Sequence, residues 1–179
     1  DYIYINGFDY DIKDPNKLAV ILSDRHFGIG GDGIIIAAPS DIADAKMKMY
    51  NADGSEGKMC GNGIRCMSKF IYDNKLTDKS VLKIETLSGI KTVSLIFENE
   101  VPTGVKVDMG EPVFAPSLIP VLSDEKEIVD KCVSVGGRMR KITCVSMGNP
   151  HCVIFVPEDF DLDNFDIEEA GIPIENDPI

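Results

Sequence analysis

Residues 59–74 of the chain read MCGNGIRCMSKFIYDN, and this stretch decides the fold. Its apolar side chains fall on two adjoining stripes of a helix predicted over residues 62–74, namely Ile64, Met67 and Ile71 on one stripe and Cys66 and Phe70 on the next. A helix that is apolar over most of its circumference is enclosed by other structure rather than laid on a surface. We therefore expect this helix to be central in the fold, with Cys66 near its buried side in a structural role.

Short apolar segments bounded by turn residues lie on both sides of the central helix. They predict strands over residues 2–5, 34–38, 45–50, 81–86, 91–97 and 104–109. Asp14 and Pro15 predict the start of another helix, as an N-cap and the proline that follows it, and this helix is expected to end near Ser23. The sequence thus predicts an α/β (α+β) fold in which a sheet curves around the central helix.

Glycine and proline cluster at residues 104–116, which predicts a domain boundary there. We expect one domain over residues 1–108 and the beginning of a second domain over residues 109–179, a segment that is short for an independent domain. Within the second segment the sequence predicts a short helix over residues 124–131 and strands over residues 141–147 and 152–156.

The acidic charge of the chain is concentrated at one end. The formal net charge is −12, but residues 157–179 contain nine acidic side chains and no lysine or arginine. Such a run predicts a solvent-facing helix or loop and argues against nucleic acid or an anionic membrane surface as a partner. No apolar run exceeds five residues, whereas a membrane-spanning helix needs about 20, so no membrane span is expected.

The chain has five cysteines, an odd number, and no Cys-x-x-Cys pair. This composition is not typical of a secreted disulfide framework. It favours reduced thiols in a cytoplasmic protein, one of which is available for chemistry.

Cys60 stands where the central helix begins, and this position makes it the leading candidate for a reactive group. The first amides of a helix lack partners and carry the positive end of its dipole, so negative charge on a thiol is favoured there. The same amides can bind a substrate carboxylate, and Gly61 and Gly63 let a ligand approach the backbone closely. The alternative is that Cys60 is a small buried hydrophobe and that the glycines only turn the chain.

A second group of polar residues, Asn149 and His151, lies in the sequence MGNPH between two predicted strands. We expect both at a tight turn, where they can offer an amide and an imidazole to a pocket, although Gly-Asn-Pro is also ordinary turn chemistry. The glycine-rich stretch GIGGDG at residues 28–33 precedes a strand rather than a helix, so it does not fit a dinucleotide site. No metal-binding motif is present, and only two histidines occur.

Taken together, these motifs resemble those of the diaminopimelate epimerase family, whose members interconvert LL- and meso-diaminopimelate. The resemblance rests on Asp24-Arg25 with Gly28-Ile29-Gly30 and Asp32, on Asn51-Ala52-Asp53-Gly54-Ser55, on Met59-Cys60-Gly61-Asn62-Gly63 with Arg65-Cys66, and on Gly148-Asn149-Pro150-His151. Related proline and hydroxyproline racemases share the cysteine at a helix start but typically have histidine where this chain has Asn62.

The resemblance implies two similar α/β domains, each a curved mixed sheet around a central helix, and a reaction that uses neither pyridoxal phosphate nor metal. One cysteine removes the α-proton and another delivers a proton to the opposite face. By this analogy Cys60 is the first catalytic cysteine, Gly61 and Asn62 hold the α-carboxylate, Asn51 and Asn149 bind other polar substrate atoms, and His151 adjusts the protonation of the cysteine pair. A small-molecule partner, diaminopimelate, and a homodimer are also expected.

The second catalytic cysteine of the family lies in a later glycine-flanked motif that this sequence does not contain. We therefore expect that cysteine beyond Ile179 and expect the chain to be a fragment that is inactive alone as an epimerase. Two other functions stay open on the sequence. One is a related amino-acid racemase or isomerase of the same fold, and the other is a catalytically inactive module that binds an amino acid.

Overall fold

A computed structural model describes residues 1–178 of the chain, which fall into two units. The first unit comprises Asp1–Met109, and the second begins at Gly110. The helices and strands of the first unit are β1 (Tyr2–Asn6), α1 (Pro15–Ser23), β2 (Gly33–Ala38), β3 (Ala45–Asn51), β4 (Glu56–Gly57), α2 (Gly61–Asp73), β5 (Val81–Thr86), β6 (Gly89–Glu98) and β7 (Val101–Val107).

The strands of the first unit form one seven-stranded sheet with the order β1-β2-β3-β5-β6-β7, and β4 pairs with β3 off this path. β1 is parallel to β2 and β3 is parallel to β5, whereas the other pairs are antiparallel, so the sheet is mixed. α2 contacts β1 and β7, the two ends of this order, as well as β2 and β6. One helix can reach both ends only because the sheet curls around it, which confirms the predicted curved mixed sheet with a central helix.

Strand β2 is buried on both faces because a helix covers each of them. Ile35 and Ala37 belong to the core under α2, whereas Ile34 and Ile36 belong to a second core with Ala19 of α1. Successive side chains of a strand point to opposite faces, so an unbroken apolar run is what a doubly covered strand requires.

Helix α1 starts where the sequence predicts. The side chain of Asp14 accepts a hydrogen bond from the backbone N–H of Lys17 at 3.1 Å, and Pro15 is the first helical residue. The cap satisfies one of the amides that a helix start leaves unpaired, and the proline has no N–H to satisfy. Its last residue is Ser23, as predicted.

Helix α2 is buried along one side, formed by Gly63, Ile64, Met67, Ser68 and Ile71. Ser68 is fully buried because its hydroxyl donates to the carbonyl oxygen of Ile64 at 2.8 Å, so its polar atom is satisfied within the helix. Cys66, in contrast, is exposed, and the prediction that it lies near the buried side is wrong. Each residue advances about 100° around a helix, and Ser68 rather than Cys66 completes the buried face next to Met67.

Strand β7 begins at Val101 and not at residue 104, the predicted start. Asn99 and Glu100 have φ values of 51° and 66°, and together they make the two-residue turn that joins β6 to β7. The predicted strand begins after Pro102, and proline has no backbone N–H to donate to a neighbouring strand. Because β7 is an edge strand, that missing N–H is tolerated.

The second unit contains a small antiparallel sheet in which β9 lies between β10 and β8. Its apolar core is formed by Ile119, Ile128, Val135, Ile142 and Cys144. The elements of this unit are a 3₁₀ turn (Pro116–Leu118), β8 (Lys131–Val135), β9 (Arg138–Ser146), β10 (Pro150–Val153) and α3 (Ile167–Glu175). That this unit is the beginning of a domain homologous to the first one stays a prediction.

The helix predicted over residues 124–131 is wrong, because residues 124–130 form no helical turn and Lys131 opens β8. Ile128 is buried in the core, and its carbonyl oxygen accepts the N–H of Cys144 at 2.9 Å. Asp130 has a φ of 50°, outside the helical region. A carbonyl that continues the hydrogen bonding of β9 is not available to a helix, so the sheet determines the conformation of this segment.

The acidic segment after residue 156 contains α3, and α3 has no buried residue. Asp166 caps the helix by accepting from the N–H of Glu169 at 2.8 Å. Glu168 and Glu169 lie in the first turn, where the helix dipole favours negative charge. The predicted solvent-facing character of this segment is confirmed. Within residues 1–178, no helix is long and apolar enough to cross a membrane.

Candidate active site

Cys60 is the N-cap of α2, with extended backbone angles of φ −129° and ψ 118°. Its Sγ accepts a hydrogen bond from the backbone N–H of Gly63 at 3.3 Å, and its carbonyl oxygen accepts the N–H of Ile64 at 2.8 Å. The thiol is half-buried at the positive end of the helix dipole. The N–H of Gly63 and the positive end of the helix dipole thus both face the sulfur atom.

The first turn of α2 also leaves two backbone amides available. The first N–H groups of a helix lack helical partners, and here that of Gly63 bonds to Sγ of Cys60. The N–H of Ile64 makes the first bond of the helix itself, to the carbonyl oxygen of Cys60. No acceptor for the N–H of Gly61 or Asn62 lies among residues 1–178. The Asn62 side chain is exposed, and its Oδ1 accepts a hydrogen bond from Arg65. An anion can therefore bind beside Cys60 through two backbone N–H groups.

The two glycines of this turn differ in their surroundings. A methyl group on Gly63 would lie 2.6 Å from Cδ1 of Ile35 and 3.2 Å from Cβ of Cys60, so a larger residue there would force these neighbours to shift. A methyl group on Gly61 would meet nothing nearer than Cε of Met109 at 3.7 Å, which is an ordinary contact. Close packing explains why position 63 is a glycine. Beside Gly61, in contrast, there is space that a ligand could occupy.

Two tyrosines of β1 lie near Cys60, although their sequence predicts only that they belong to a strand. The hydroxyl of Tyr4 donates to the carbonyl oxygen of Gly63 at 3.2 Å. Burial, with the negative charges of Cys60 and Asp32 added, raises the pKa of Tyr2. Burial is also the main cause that raises the pKa of Tyr4, so both phenols stay neutral at physiological pH. The Tyr-x-Tyr alternation in β1 is the signal that places both on one face.

Asn51 ends β3 and lies opposite Gly33 of β2. Its Nδ2 donates to the hydroxyl oxygen of Ser55 at 3.0 Å, and its backbone N–H donates to the carbonyl oxygen of Ser55 at 2.8 Å. Ser55 in turn donates to Asp53 from both its hydroxyl and its N–H, and these hydrogen bonds hold the pKa of the Asp53 carboxyl below its usual range. The loop from Asn51 to Ser55 is thus held in one conformation, and this loop orients the amide of Asn51.

The other two predicted site residues belong to the second unit. Asn149 lies in the turn between β9 and β10, and its carbonyl oxygen accepts the N–H of Met147 at 3.2 Å. His151 lies within β10, opposite Val145 of β9, so its expected position at a tight turn is wrong. The strand begins at Pro150, because pairing with β9 starts directly after Asn149. Both Asn149 and His151 are exposed.

The first unit thus brings Cys60, Gly61 and Asn62 together in one helix turn, and Tyr4 bonds to the same turn. Among residues 1–178, no three histidine, cysteine, aspartate or glutamate side chains lie close enough to hold a metal ion. The arrangement suits a thiolate acting next to a bound anion.

Solved structures of isomerases and their relatives share this curled sheet with a central helix. A phenazine biosynthesis protein of the PhzF family from Bacillus anthracis matches with a TM-score of 0.58 at 20% identity, over 87% of this chain and 50% of that one. A probable proline racemase from Agrobacterium radiobacter K84 matches with a TM-score of 0.58 at 14% identity, over 89% of this chain and 42% of that one. At these identities the likeness shows the fold alone.

Sequence comparison narrows this fold class to one family. The family profile described as diaminopimelate epimerase matches residues 1–115. The chain is 49% identical to the diaminopimelate epimerase of Agathobacter rectalis, over 98% of this chain and 63% of that one. It is 48% identical to the diaminopimelate epimerase of Methanococcus maripaludis strain S2, over 96% of this chain and 61% of that one. The chain therefore belongs to the diaminopimelate epimerase family, and it spans a little under two thirds of the length of these relatives.

Proposed function

We propose that this chain carries the cysteine that removes the α-proton in the interconversion of LL- and meso-2,6-diaminopimelate. One observation carries the proposal: the Sγ of Cys60 caps α2 beside the N–H groups of Gly61 and Asn62, which no described residue accepts. A substrate carboxylate on these amides would bring its α-carbon to the sulfur. Membership of the diaminopimelate epimerase family supports diaminopimelate as the substrate.

The helix start favours this reaction because negative charge appears at two points of it. Removing the α-proton shifts negative charge onto the substrate carboxylate, and preoriented N–H groups stabilise such charge as it develops. The sulfur that takes the proton already accepts the N–H of Gly63 before the reaction. Since both groups are in place in the folded helix, neither must reorganise during the reaction. We assign proton abstraction to Cys60 and carboxylate binding to Gly61 and Asn62.

The remaining roles in the proposal follow the family resemblance. Asn51 and Asn149 bind further polar atoms of diaminopimelate, and His151 adjusts the protonation of the cysteines. The reaction requires no pyridoxal phosphate or metal. The locked loop of Asn51 supports its assignment, because an amide held by Ser55 has a fixed orientation toward a ligand. The exposure of Asn149 and His151 is compatible with contact to a small molecule.

Inversion of the α-carbon needs a proton donor on the face opposite to Cys60. The glycine-flanked cysteine that serves this purpose in the family has no counterpart among Cys132, Cys144 and Cys152, whose neighbours are not glycines. With Cys60 alone, a proton can leave and return on one face. We therefore propose that this 179-residue chain exchanges the α-hydrogen without epimerising the substrate.

Exchange in heavy water tests this proposal directly. LL-diaminopimelate is incubated with the chain in D₂O, the loss of the α-proton signal is followed by NMR, and the stereoisomers are separated by chiral chromatography. We expect deuterium at the α-carbon and no meso isomer. L-Proline, tested in parallel, is expected not to exchange, because Asn62 stands where proline racemases typically have histidine.

Each other outcome has a distinct meaning. Formation of the meso isomer would show that a second donor lies within this chain. Saturable binding of diaminopimelate without exchange would support the binding module instead of the enzyme. The epimerase of Agathobacter rectalis, which is longer, serves as the control that produces the meso isomer under the same conditions.

His151→Ala is expected to shift the pH–rate profile of α-hydrogen exchange, because the role proposed for His151 is to adjust the protonation of the cysteines. The matched control is His26→Ala, which removes the other histidine, an exposed side chain in the turn after α1. Rates are measured across the pH range for both variants. An unchanged profile in His151→Ala, with normal activity, would leave His151 with a structural role only.

We also propose a cytoplasmic location and a homodimer. The five cysteines are all free thiols, which is compatible with a reducing compartment. Size-exclusion chromatography with light scattering tests the oligomeric state, and a monomer at micromolar concentration would argue against the dimer.

A further inference from the structure

Two cysteines that the proposed reaction does not use lie directly opposite each other in the second unit. Cys144 of β9 pairs with Cys152 of β10 in the antiparallel register. The two strands are the arms of one hairpin, whose turn contains Asn149.

The backbone hydrogen bonds show whether Cys144 and Cys152 form a hydrogen-bonded or a non-hydrogen-bonded pair of the antiparallel ladder. The N–H of Cys144 donates to the carbonyl oxygen of Ile128 at 2.9 Å, on the side of β9 that faces away from β10. Two residues on, both backbone groups of Ser146 bond to Val113, also away from β10. Because N–H and C=O of one residue point to the same side of an antiparallel strand, Cys144 and Cys152 form a pair without mutual backbone hydrogen bonds.

Such a pair has the spacing that a disulfide needs. The Cα atoms of a pair without mutual hydrogen bonds are about 4.5 Å apart, and disulfides span Cα distances of roughly 4.4–6.8 Å. Residues directly opposite each other in an antiparallel pair point to the same face of the sheet, so the side chains of Cys144 and Cys152 are neighbours on one face.

The two thiols differ in access to solvent. Cys144 is 3% exposed and belongs to the apolar core, whereas Cys152 is exposed. A small reagent therefore reaches Cys152 first, and Cys144 is positioned to react with the adduct. Burial raises the pKa of both thiols, so the reaction proceeds faster in mildly alkaline buffer, where more thiolate is present.

We propose that Cys144 and Cys152 form a redox-active dithiol that a low-molecular-weight disulfide converts into a cross-strand disulfide. The thiolate of Cys152 attacks one sulfur of the reagent, forms a mixed disulfide and releases one reagent thiolate. The thiolate of Cys144 then attacks Sγ of Cys152, forms the protein disulfide and releases the second reagent thiolate. Overall, the two cysteines lose two protons and two electrons, and the reagent disulfide is reduced to two thiols.

The new bond would close a ring that contains the hairpin turn with Asn149 and the first residues of β10, including His151. It would fix the distance between β9 and β10 next to these two residues. The proposal concerns two residues of the second unit, whereas Cys60 belongs to the first unit. The inference thus stands independently of the proposed epimerase function.

Chemical cleavage can identify the bond. The intact chain is incubated with oxidised glutathione in mildly alkaline buffer, free thiols are alkylated, and the protein is cleaved with cyanogen bromide. Cleavage after Met139 and Met147 places Cys144 and Cys152 on different peptides. We expect these two peptides to be linked before reduction and separate after it. The exposed Cys132 serves as the internal standard, and the reagent concentration is raised until Cys132 carries glutathione.

Two variants test the order of the steps. Cys144→Ser is expected to accumulate a glutathione adduct on Cys152, because the second thiol is absent. Cys152→Ser is expected to leave Cys144 unmodified, because that side chain is buried. Absence of the linked peptides once Cys132 is modified, or a link from Cys152 to any other cysteine, would overturn the proposal.

Discussion

Cys60→Ala is expected to abolish α-hydrogen exchange of LL-diaminopimelate. Positioned proton transfer typically contributes 10²–10⁴-fold to a rate, so the exchange rate should fall by about that factor, to the background of the assay. The cause is the loss of the one sulfur that lies at the start of α2 and accepts the N–H of Gly63. The measurement is the NMR assay in D₂O described above.

Cys66→Ala is the matched control, since it removes a thiol from the same helix. Cys66 is exposed and belongs to no core cluster, so both the folded state and the exchange rate should be unchanged. Circular dichroism and thermal unfolding of both variants check the fold. Exchange that persists in Cys60→Ala would remove Cys60 from the reaction.

Gly63→Ala is expected to destabilise the first unit. The added methyl group would meet Cδ1 of Ile35 at 2.6 Å and Cβ of Cys60 at 3.2 Å. Ile35 is fully buried, so its Cδ1 can move aside only against other core side chains, and forcing extra atoms into a packed core typically costs about 1–3 kcal/mol. Alanine regains up to about 1 kcal/mol through its higher helix propensity. We expect a net loss of about 1–2 kcal/mol in the free energy of unfolding, measured by urea denaturation.

Gly61→Ala is the companion variant, and it separates packing from ligand approach. Its methyl group would have only Cε of Met109 as a neighbour, at 3.7 Å, so the urea midpoint should stay near that of the unmodified chain. If the substrate carboxylate binds at the N–H of Gly61, the methyl group obstructs it, and exchange should slow while stability holds. Normal exchange in a stable Gly61→Ala variant would exclude Gly61 from carboxylate binding.

Local signals predicted most of the first unit correctly. Asp14 and Pro15 marked the start of α1 because a cap and a proline act within one helix turn. The errors occur where distant contacts outweigh local preference. Residues 124–130 look helical by themselves, but Ile128 is drawn into the core of the second unit and its carbonyl bonds to β9. Pro102 fits within β7 because β7 is an edge strand of the sheet. The local sequence does not show which strand lies at an edge.

In the candidate site, too, residues close in the sequence were predicted correctly, whereas contacts between distant residues were missed. Cys60, Gly61 and Asn62 are consecutive, so locating the helix start was enough to bring them together. Tyr4 was missed because its contact with Gly63 joins residues far apart in the chain, through the curl of the sheet. Cys66 was predicted on the buried side because it is less polar than Ser68. Ser68 is buried instead, since its hydroxyl bonds to a carbonyl oxygen of its own helix.

The curl of the sheet also bears on how the first unit folds. α2 contacts β1 and β7, the first and last strands of that unit, so its core is completed by contacts between segments far apart in the chain. Contacts of this kind form late and slow the folding of a domain. On the ribosome the chain emerges from its N-terminal end, so α2 leaves the exit tunnel before β7 does. The thiol of Cys60 is therefore made early, but its surroundings are complete only once Val107 has been synthesised and β7 has added to the sheet.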